Sequence, residues 1–145
     1  MEQNLRALTI LLRAAKSVEK VLKEDIARYS LNPAEFGVLE YLYHKGSQPM
    51  ANLSKKLLMA NSSMTYIVDK LVSVGLVERI ENQEDKRSHY VKLTKTGEEY
   101  IKNIFPSHEE KIDAIFSSLT MEEVKVLADL LKKTGLHAEE LVKKD

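Results

Sequence analysis

Apolar side chains recur every three or four positions over the first thirty residues of the chain. The stripe comprises Leu5, Leu8, Leu12, Ala15, Val18, Leu22, Ile26 and Tyr29. This spacing is typical of one face of an amphipathic helix, and no Gly or Pro interrupts it. The pattern therefore predicts a long first helix over about residues 4–29.

A second helix is predicted after Asn32-Pro33-Ala34-Glu35. Asn can cap a helix, Pro suits the first helical position, and Glu three residues after the cap can close a capping box. The inward positions of this helix are Phe36, Leu39, Leu42 and Tyr43. It should end near Lys45-Gly46, and a short extended link should follow over residues 47–50.

Two short helices that meet at a tight turn are predicted next, over about residues 51–58 and 62–74. We expect Leu53, Leu57 and Leu58 to be buried, and Asn61 and Ser62 to cap the second of these helices. Its apolar face is formed by Met64, Ile67, Val68 and Leu71, and its polar face by Ser62, Thr65, Tyr66, Asp69 and Ser73. This is the outline of a helix-turn-helix.

A β-hairpin with a charged tip should follow the helix-turn-helix. Residues 76–80 and 89–93 are the strand candidates, and seven consecutive polar residues from Glu81 to Arg87 lie between them. A charged hairpin after a helix-turn-helix defines a winged helix-turn-helix.

Two further helices are predicted in the C-terminal third. Thr94 can cap a fifth helix that Pro106 should kink or split. The capping box of residues 120–123 should begin a sixth helix that stops near Gly135, with a loose last turn over residues 136–144.

The fold class is therefore mainly α with a small β wing (α+β). We expect one domain over residues 1–145, with a winged lobe at 31–97 and dimerisation helices at 1–30 and 98–145.

The composition fits a globular chain, with 43% hydrophobic and 30% charged residues among 145. The absence of cysteine excludes disulfides and thiolate metal sites, and it agrees with a cytoplasmic location. No secretory signal is expected. The longest stretch without charge, residues 57–68, is too short to span a bilayer, so no membrane association is expected.

The charge is balanced overall but unevenly distributed. The chain carries 22 basic and 22 acidic side chains. Residues 1–50 have 7 basic and 6 acidic groups, residues 51–95 have 8 and 5, and residues 96–145 have 7 and 11, which gives net charges of +1, +3 and −4. The basic middle segment indicates a local surface that faces an anionic partner.

The polar residues of the fourth helix and of the hairpin tip suit double-stranded DNA as that partner. Residues at the start of a recognition helix enter the major groove first, where small hydroxyl groups can approach base edges or phosphates. The predicted DNA-binding residues are Ser62, Ser63, Thr65, Tyr66, Lys70, Lys86 and Arg87. Asp85 is expected to pair with Arg87 and fix its direction, and Asp69 to pair with a nearby cation.

The segment from Ser62 to Tyr100, "SSMTYIVDKLVSVGLVERIENQEDKRSHYVKLTKTGEEY", resembles the core of the MarR family of bacterial transcription factors. The shared positions are Thr65, Asp69, Leu71, Gly75, Leu76, Val77, Arg79, Asp85, Arg87, Leu93, Thr94 and Gly97. The flanking helices match the family in number and length.

The resemblance implies a homodimeric repressor that binds a pseudo-palindromic DNA operator and is released by a small, often phenolic or anionic ligand. The stretches at residues 42–46 and 66–71 are similar to a subgroup that responds to quinones and catechols, so a small aromatic effector is expected. One position departs from the family. Tyr66 stands where many relatives carry Arg, and Tyr lacks a bidentate fork for guanine, so a site that favours A·T pairs is expected.

The residues considered for a ligand pocket are Arg13, Tyr29, Phe36, Tyr43 and His44, although aromatic residues at helical spacing also suit a plain core. No metal site and no cofactor are predicted, because no two histidines have the i, i+4 spacing of a helical metal site. Some relatives bind zinc through His-x-x-x-His in the fifth helix, but Ile112 follows His108 at that spacing. We expect His108 at the surface or in a polar pair at a dimer interface.

Two other interpretations remain open from the sequence. Tyr66 and the zero net charge are compatible with a protein-interaction module, which keeps the winged-helix fold but no longer recognises DNA sequences. A small helical enzyme or metal sensor is the second alternative. The sequence contains no Gly-rich phosphate loop and no Gly-x-Ser-x-Gly motif, so no enzymatic activity is predicted.

Overall fold

The computed structural model describes residues 1–143, and within that range it contains six helices and a three-stranded sheet. The elements are α1 (Glu2–Ala27), α2 (Pro33–Lys45), β1 (Gln48–Pro49), α3 (Met50–Lys56), α4 (Asn61–Ser73), β2 (Val77–Glu81), β3 (His89–Leu93), α5 (Lys95–Ile115) and α6 (Met121–Lys143). The predicted fold class, a mainly helical winged helix-turn-helix, is confirmed.

The chain forms two compact units, which are described separately. The first unit, Met1–Glu109, contains α1 to α4, the sheet and most of α5. The second unit begins at Glu110 and contains the end of α5 and all of α6.

The sheet is antiparallel with the strand order β1-β3-β2. β2 and β3 form the wing hairpin, in which Arg79 is opposite Val91. β1 adds two residues to the other side of β3, with Gln48 opposite Val91. This pairing fastens the segment before the helix-turn-helix to the base of the wing.

The core of the first unit is built from the apolar faces that the periodicity predicts. Phe36, Leu39 and Leu42 of α2 are buried, together with the whole apolar face of α4. Complete burial of one such side chain stabilises the fold by about 1.5–3 kcal/mol. The burial of Met64, Ile67, Val68 and Leu71 therefore fixes which face of α4 remains exposed.

Three predicted helix starts are confirmed by their hydrogen bonds. Asn32 and Glu35 form the capping box of α2, with both bonds at 2.8 Å. The Thr94 hydroxyl accepts a bond of 3.0 Å from the Gly97 amide at the start of α5. Thr120 and Glu123 form the reciprocal pair that begins α6.

The turn of the helix-turn-helix differs from the prediction at two places. Ala60 is the N-cap of α4 and no side chain caps this helix, so the capping role predicted for Asn61 and Ser62 is wrong. Leu58 was expected to be buried but is 87% exposed, with a left-handed backbone φ of 55°. The chain must reverse direction at this residue, which turns its side chain away from the core.

Two helices continue past residues at which the sequence predicted an interruption. α5 continues through Pro106 without being split, and α6 continues through Gly135 to Lys143. A single helical Gly costs about 1 kcal/mol relative to Ala, which neighbouring residues with high helix propensity can offset. The loose last turn expected over residues 136–144 is regular helix as far as Lys143, and Lys144 lies outside the described residues.

A close contact joins the wing to α5. The Thr94 hydroxyl donates a hydrogen bond of 2.6 Å to the Gly75 carbonyl, and the Thr94 amide donates one of 3.1 Å to the Leu76 carbonyl. A Cβ atom at Gly97 would lie 1.9 Å from that same Leu76 oxygen. Only glycine allows α5 to approach the strand entry so closely.

Two helical faces are left exposed. In α1, Leu5, Leu8 and Leu12 are 50–61% exposed, although they belong to the predicted apolar stripe. In the second unit, no residue of α6 between Met121 and Lys143 is buried, and Leu130, Leu131, Leu136 and Leu141 are all exposed.

Candidate nucleic-acid interface

The exposed surface of α4 carries five of the predicted DNA-binding residues, four of them in its first two turns. Ser62, Ser63, Thr65 and Tyr66 are all exposed because the opposite face of the helix is buried in the core. Tyr66 is 73% exposed, which is unusual for a large aromatic side chain. These side chains can therefore meet a partner without any rearrangement of the helix.

The wing tip is an ordered turn. The Asn82 side chain accepts a bond of 3.0 Å from the Glu84 amide, and the Asp85 carboxylate accepts one of 3.0 Å from the Arg87 amide. The Arg87 Nε atom lies 3.3 Å from the same carboxylate, while the Arg87 side chain is 93% exposed. The structure shows the expected contact between Asp85 and Arg87, and the role of Asp85 in orienting the guanidinium group stays a prediction.

A cleft of about 360 Å³ lies between α4 and the wing. Thr65 from the recognition helix and Arg87 from the wing both line it, so the structure brings these two predicted DNA-binding residues together. The other lining residues are Pro49, Met50, Ala51, Asn61, Arg79, Ser88 and His89. Ser62, Ser63, Tyr66, Lys70 and Lys86 do not line this cleft.

Four polar lining residues were not predicted as part of an interface: Asn61, Arg79, Ser88 and His89. Asn61 was predicted only as a cap, although its place at the start of a recognition helix was a usable signal. Arg79 forms an ion pair with Asp69, which confirms the pairing expected for that carboxylate. The pair connects α4 to β2, and no local pattern in the sequence predicts which cation Asp69 contacts.

Lys70 has an unexpected partner. Its ammonium group lies 2.8 Å from the carboxylate of Glu35, whose side chain is only 3% exposed. The hydrogen bond from Lys70 to Glu35 and the negative charge of Glu35 raise the pKa of Lys70 above the ordinary value. Glu35 therefore closes the capping box of α2 with one oxygen and holds α4 with the other. The role of Lys70 as a phosphate contact stays a prediction.

A second cavity, of about 480 Å³, lies in the first unit among α1, α2 and α5. Its lining includes Ile26, Phe36, Glu40 and His108. His108 is buried, and its Nδ1 atom lies 3.1 Å from the buried carboxylate of Asp25. The expectation that His108 lies at the surface or in a dimer interface is therefore wrong, because α5 packs this residue inside the first unit.

The residues considered for a ligand pocket do not share one cavity. Phe36 lines the second cavity, and the Tyr29 ring stacks on Phe36 at a centroid distance of 6.5 Å. His44 lines a neighbouring cavity of about 310 Å³, which shares Gly37 and Glu40 of α2 with the second cavity. Tyr43 packs at the edge of the His44 ring, and Arg13 lies on the exposed half of α1.

Within residues 1–143, metal binding would require a cluster of metal-ligating side chains, and a membrane span would require a long apolar helix. No group of three or more His, Asp or Glu side chains is arranged to hold a metal ion in this range. None of the helices described has the length and apolarity that a bilayer span requires.

A helix-turn-helix, a charged hairpin and a cleft shared by both define a winged-helix DNA-binding protein. Residues 31–89 match the MarR family. The chain is also 39% identical to the HTH-type transcriptional regulator MhqR of Bacillus subtilis (strain 168) over 139 residues, which cover 96% of each protein. The chain belongs to the MarR family and is a DNA-binding transcriptional regulator.

Two solved structures extend this comparison. A mutant of MarR from E. coli, crystallised in complex with operator DNA, is 27% identical, with a TM-score of 0.80 over 91% of this chain and 95% of that one. NadR in complex with 4-hydroxyphenylacetate is 25% identical, with a TM-score of 0.75 over 86% of this chain and 88% of that one.

Proposed function

We propose that the chain is a homodimeric repressor that binds a pseudo-palindromic operator and releases it when a small aromatic ligand binds. The observation that carries the DNA-binding part is the cleft lined by both Thr65 and Arg87. A recognition helix in the major groove and a wing on the neighbouring backbone or minor groove would use such a continuous surface.

In this proposal, the DNA contacts come from α4 and the wing. Ser62, Ser63, Thr65 and Tyr66 would meet the major groove, and Lys86 and Arg87 the phosphates or the minor groove. Asp85 would orient Arg87 through the contacts already described. The complex of the E. coli MarR mutant with operator DNA supports DNA as the partner of this fold.

The exposed apolar faces of α1 and α6 support the proposed dimer. Leu5, Leu8 and Leu12 on α1 would remain in water in a lone chain, as would Leu130 and Leu141 on α6. Two copies that bury these faces against each other would remove them from water. A twofold dimer would place its recognition helices about 34 Å apart, which requires an inverted repeat in the operator.

The cavity lined by Phe36 and His108 is the proposed ligand site. A phenolic or quinone-like ring could pack on Phe36, whose ring centroid lies 4.3 Å from that of His108. If Nδ1 of His108 donates its hydrogen to Asp25, then Nε2 is left as an acceptor for a phenol hydroxyl. The 4-hydroxyphenylacetate bound to NadR is a ligand of this class in a relative.

The regulator would act in the cytoplasm, where bacterial operator DNA is found. We propose no enzymatic activity, since the relatives compared are transcriptional regulators by name.

The test is an in vitro selection from random duplex DNA, followed by release of the selected DNA with 4-hydroxyphenylacetate and with methylhydroquinone. We expect enrichment of an inverted repeat with half-sites about one turn, roughly 34 Å, apart. Phe36→Ala should abolish release by the ligand while the free protein still binds DNA. If a folded dimer enriches no sequence at low salt, the proposal is refuted and the interaction module becomes the better interpretation.

A further inference from the structure

The side-chain amide of Asn61 is available to a partner. Asn61 is the first residue of α4, is exposed and lines the cleft between α4 and the wing. Within residues 1–143, its amide makes no hydrogen bond to another group of the protein. The amides of Asn32, Asn52 and Asn82 are all committed to neighbouring groups.

The other polar groups of the cleft do not present a donor and an acceptor side by side, and in His89 the two ring nitrogens lie on different sides of the ring. The Thr65 hydroxyl donates to the Asn61 carbonyl at 2.9 Å, which leaves its methyl group and oxygen lone pairs for a partner. The Ser88 hydroxyl donates to the Asp85 carbonyl at 3.1 Å. The guanidinium groups of Arg79 and Arg87 have donors only.

An amide carries one donor and one acceptor side by side, and this matches the major-groove edge of adenine. Adenine presents the N7 acceptor and the N6 donor at that edge, and Asn or Gln pairs with both. Guanine presents two acceptors there, so an amide cannot satisfy both with one donor and one acceptor. Since residues at the start of a recognition helix are the ones that reach base edges, Asn61 has both the chemistry and the position.

We infer that Asn61 is a specificity-determining residue of the interface, which selects one adenine in each half-site of the operator. This inference rests on the proposed function, because it requires that the cleft faces the major groove. In this inference the residue that contacts the base is Asn61. It is not Tyr66, which stands at the position where many relatives carry Arg.

The test compares wild type with Asn61→Ala on the DNA selected by the wild-type protein. Each adenine of the half-site is replaced in turn by 7-deazaadenine, which lacks the N7 acceptor but keeps its pairing with thymine. At one adenine, the wild type should lose about tenfold in affinity, the usual order for one bidentate contact. Asn61→Ala should bind normal DNA about tenfold more weakly than the wild type does, and the 7-deazaadenine substitution should not weaken its binding any further.

Asn103→Ala is the matched control, because Asn103 is an exposed asparagine on α5 that lies outside the cleft. It should bind and discriminate like the wild type. The inference is overturned if no 7-deazaadenine weakens wild-type binding, or if Asn61→Ala selects the same base at every half-site position. Failure of the wild type to enrich any sequence would overturn the proposed function as well, so the two failures are distinguishable.

Discussion

Replacement of Gly97 by alanine tests how closely α5 must approach the wing. The new Cβ atom would lie 1.9 Å from the Leu76 carbonyl oxygen, whereas real Cβ atoms stay at least 3.0 Å from such atoms, so the two segments must separate by about 1.1 Å. The opposing group is backbone at the entry to β2, and no side chain can rotate away to make room. The same movement stretches the bond from the Thr94 amide to Leu76.

The expected cost follows from these two effects. Insertion of a methyl group into a site that cannot yield costs about 1–3 kcal/mol, and a weakened hydrogen bond adds about 1 kcal/mol. We therefore expect Gly97→Ala to lower the free energy of unfolding by about 3 kcal/mol. Urea titration at one fixed protein concentration is the appropriate assay, because the apparent stability of a dimer depends on concentration.

Gly37→Ala is the matched control, since Gly37 is also a helical glycine of the first unit. Its added Cβ atom would lie 3.6 Å from the Leu57 side chain, which is an ordinary contact. We expect this variant to gain about 1 kcal/mol from helix propensity. The reasoning is refuted if the free energies of unfolding of the two variants differ by less than about 1 kcal/mol. The backbones at Gly97 and Leu76 would then move apart more easily than their geometry indicates.

Three further predictions concern charge and titration. Arg87→Ala should weaken DNA binding and lower the slope of log affinity against log salt by about 1, and an unchanged affinity would exclude a role for the wing. Lys70→Met tests the predicted phosphate contact of Lys70: we expect the slope to fall by about 1, and an unchanged slope would show that Glu35, 2.8 Å from the ammonium group, holds Lys70 in the complex as well. Burial raises the pKa of Tyr100, so in an absorbance titration its phenol should ionise above the ordinary value of 10.0. The stability that the neutral phenol contributes should be complete below pH 10.0 and lost as the pH rises through the native pKa, and the prediction is contradicted if the phenol removed by Tyr100→Phe is one that ionises at or below 10.0.

The sequence predicted the elements that depend on local spacing. The apolar face of α4 and the capping box at Asn32 and Glu35 each involve residues within a few turns of one helix. The wing was recognisable from strand alternation around a polar tip. The burial predicted for Leu58 and the helix end predicted at Gly135 were both wrong. Backbone reversal and helix continuation depend on neighbouring residues as well as on residue type.

The contacts between distant residues could not be predicted. Asp25 and His108 are 83 positions apart, and their buried hydrogen bond exists only because α5 packs beside α1. Lys70 was predicted to contact DNA because it lies on α4, and the contact of its ammonium group with a carboxylate of α2 was not foreseen. The hydrophobic pattern determines which faces are exposed, whereas the partner of each charge is determined by tertiary packing.

The ion pairs at the interface have a consequence for how the regulator would find its operator in a genome. Arg87 is paired with Asp85, and Arg79 with Asp69, before any DNA is present. A carboxylate therefore already neutralises part of the charge of each guanidinium group, so each contact with a phosphate of arbitrary DNA gains less than a free guanidinium group would. Arbitrary sites outnumber the operator by about a millionfold or more and compete for the same molecules. Weak attraction to those sites leaves more of the protein available for the operator. A small number of protein molecules per cell could then keep the operator occupied.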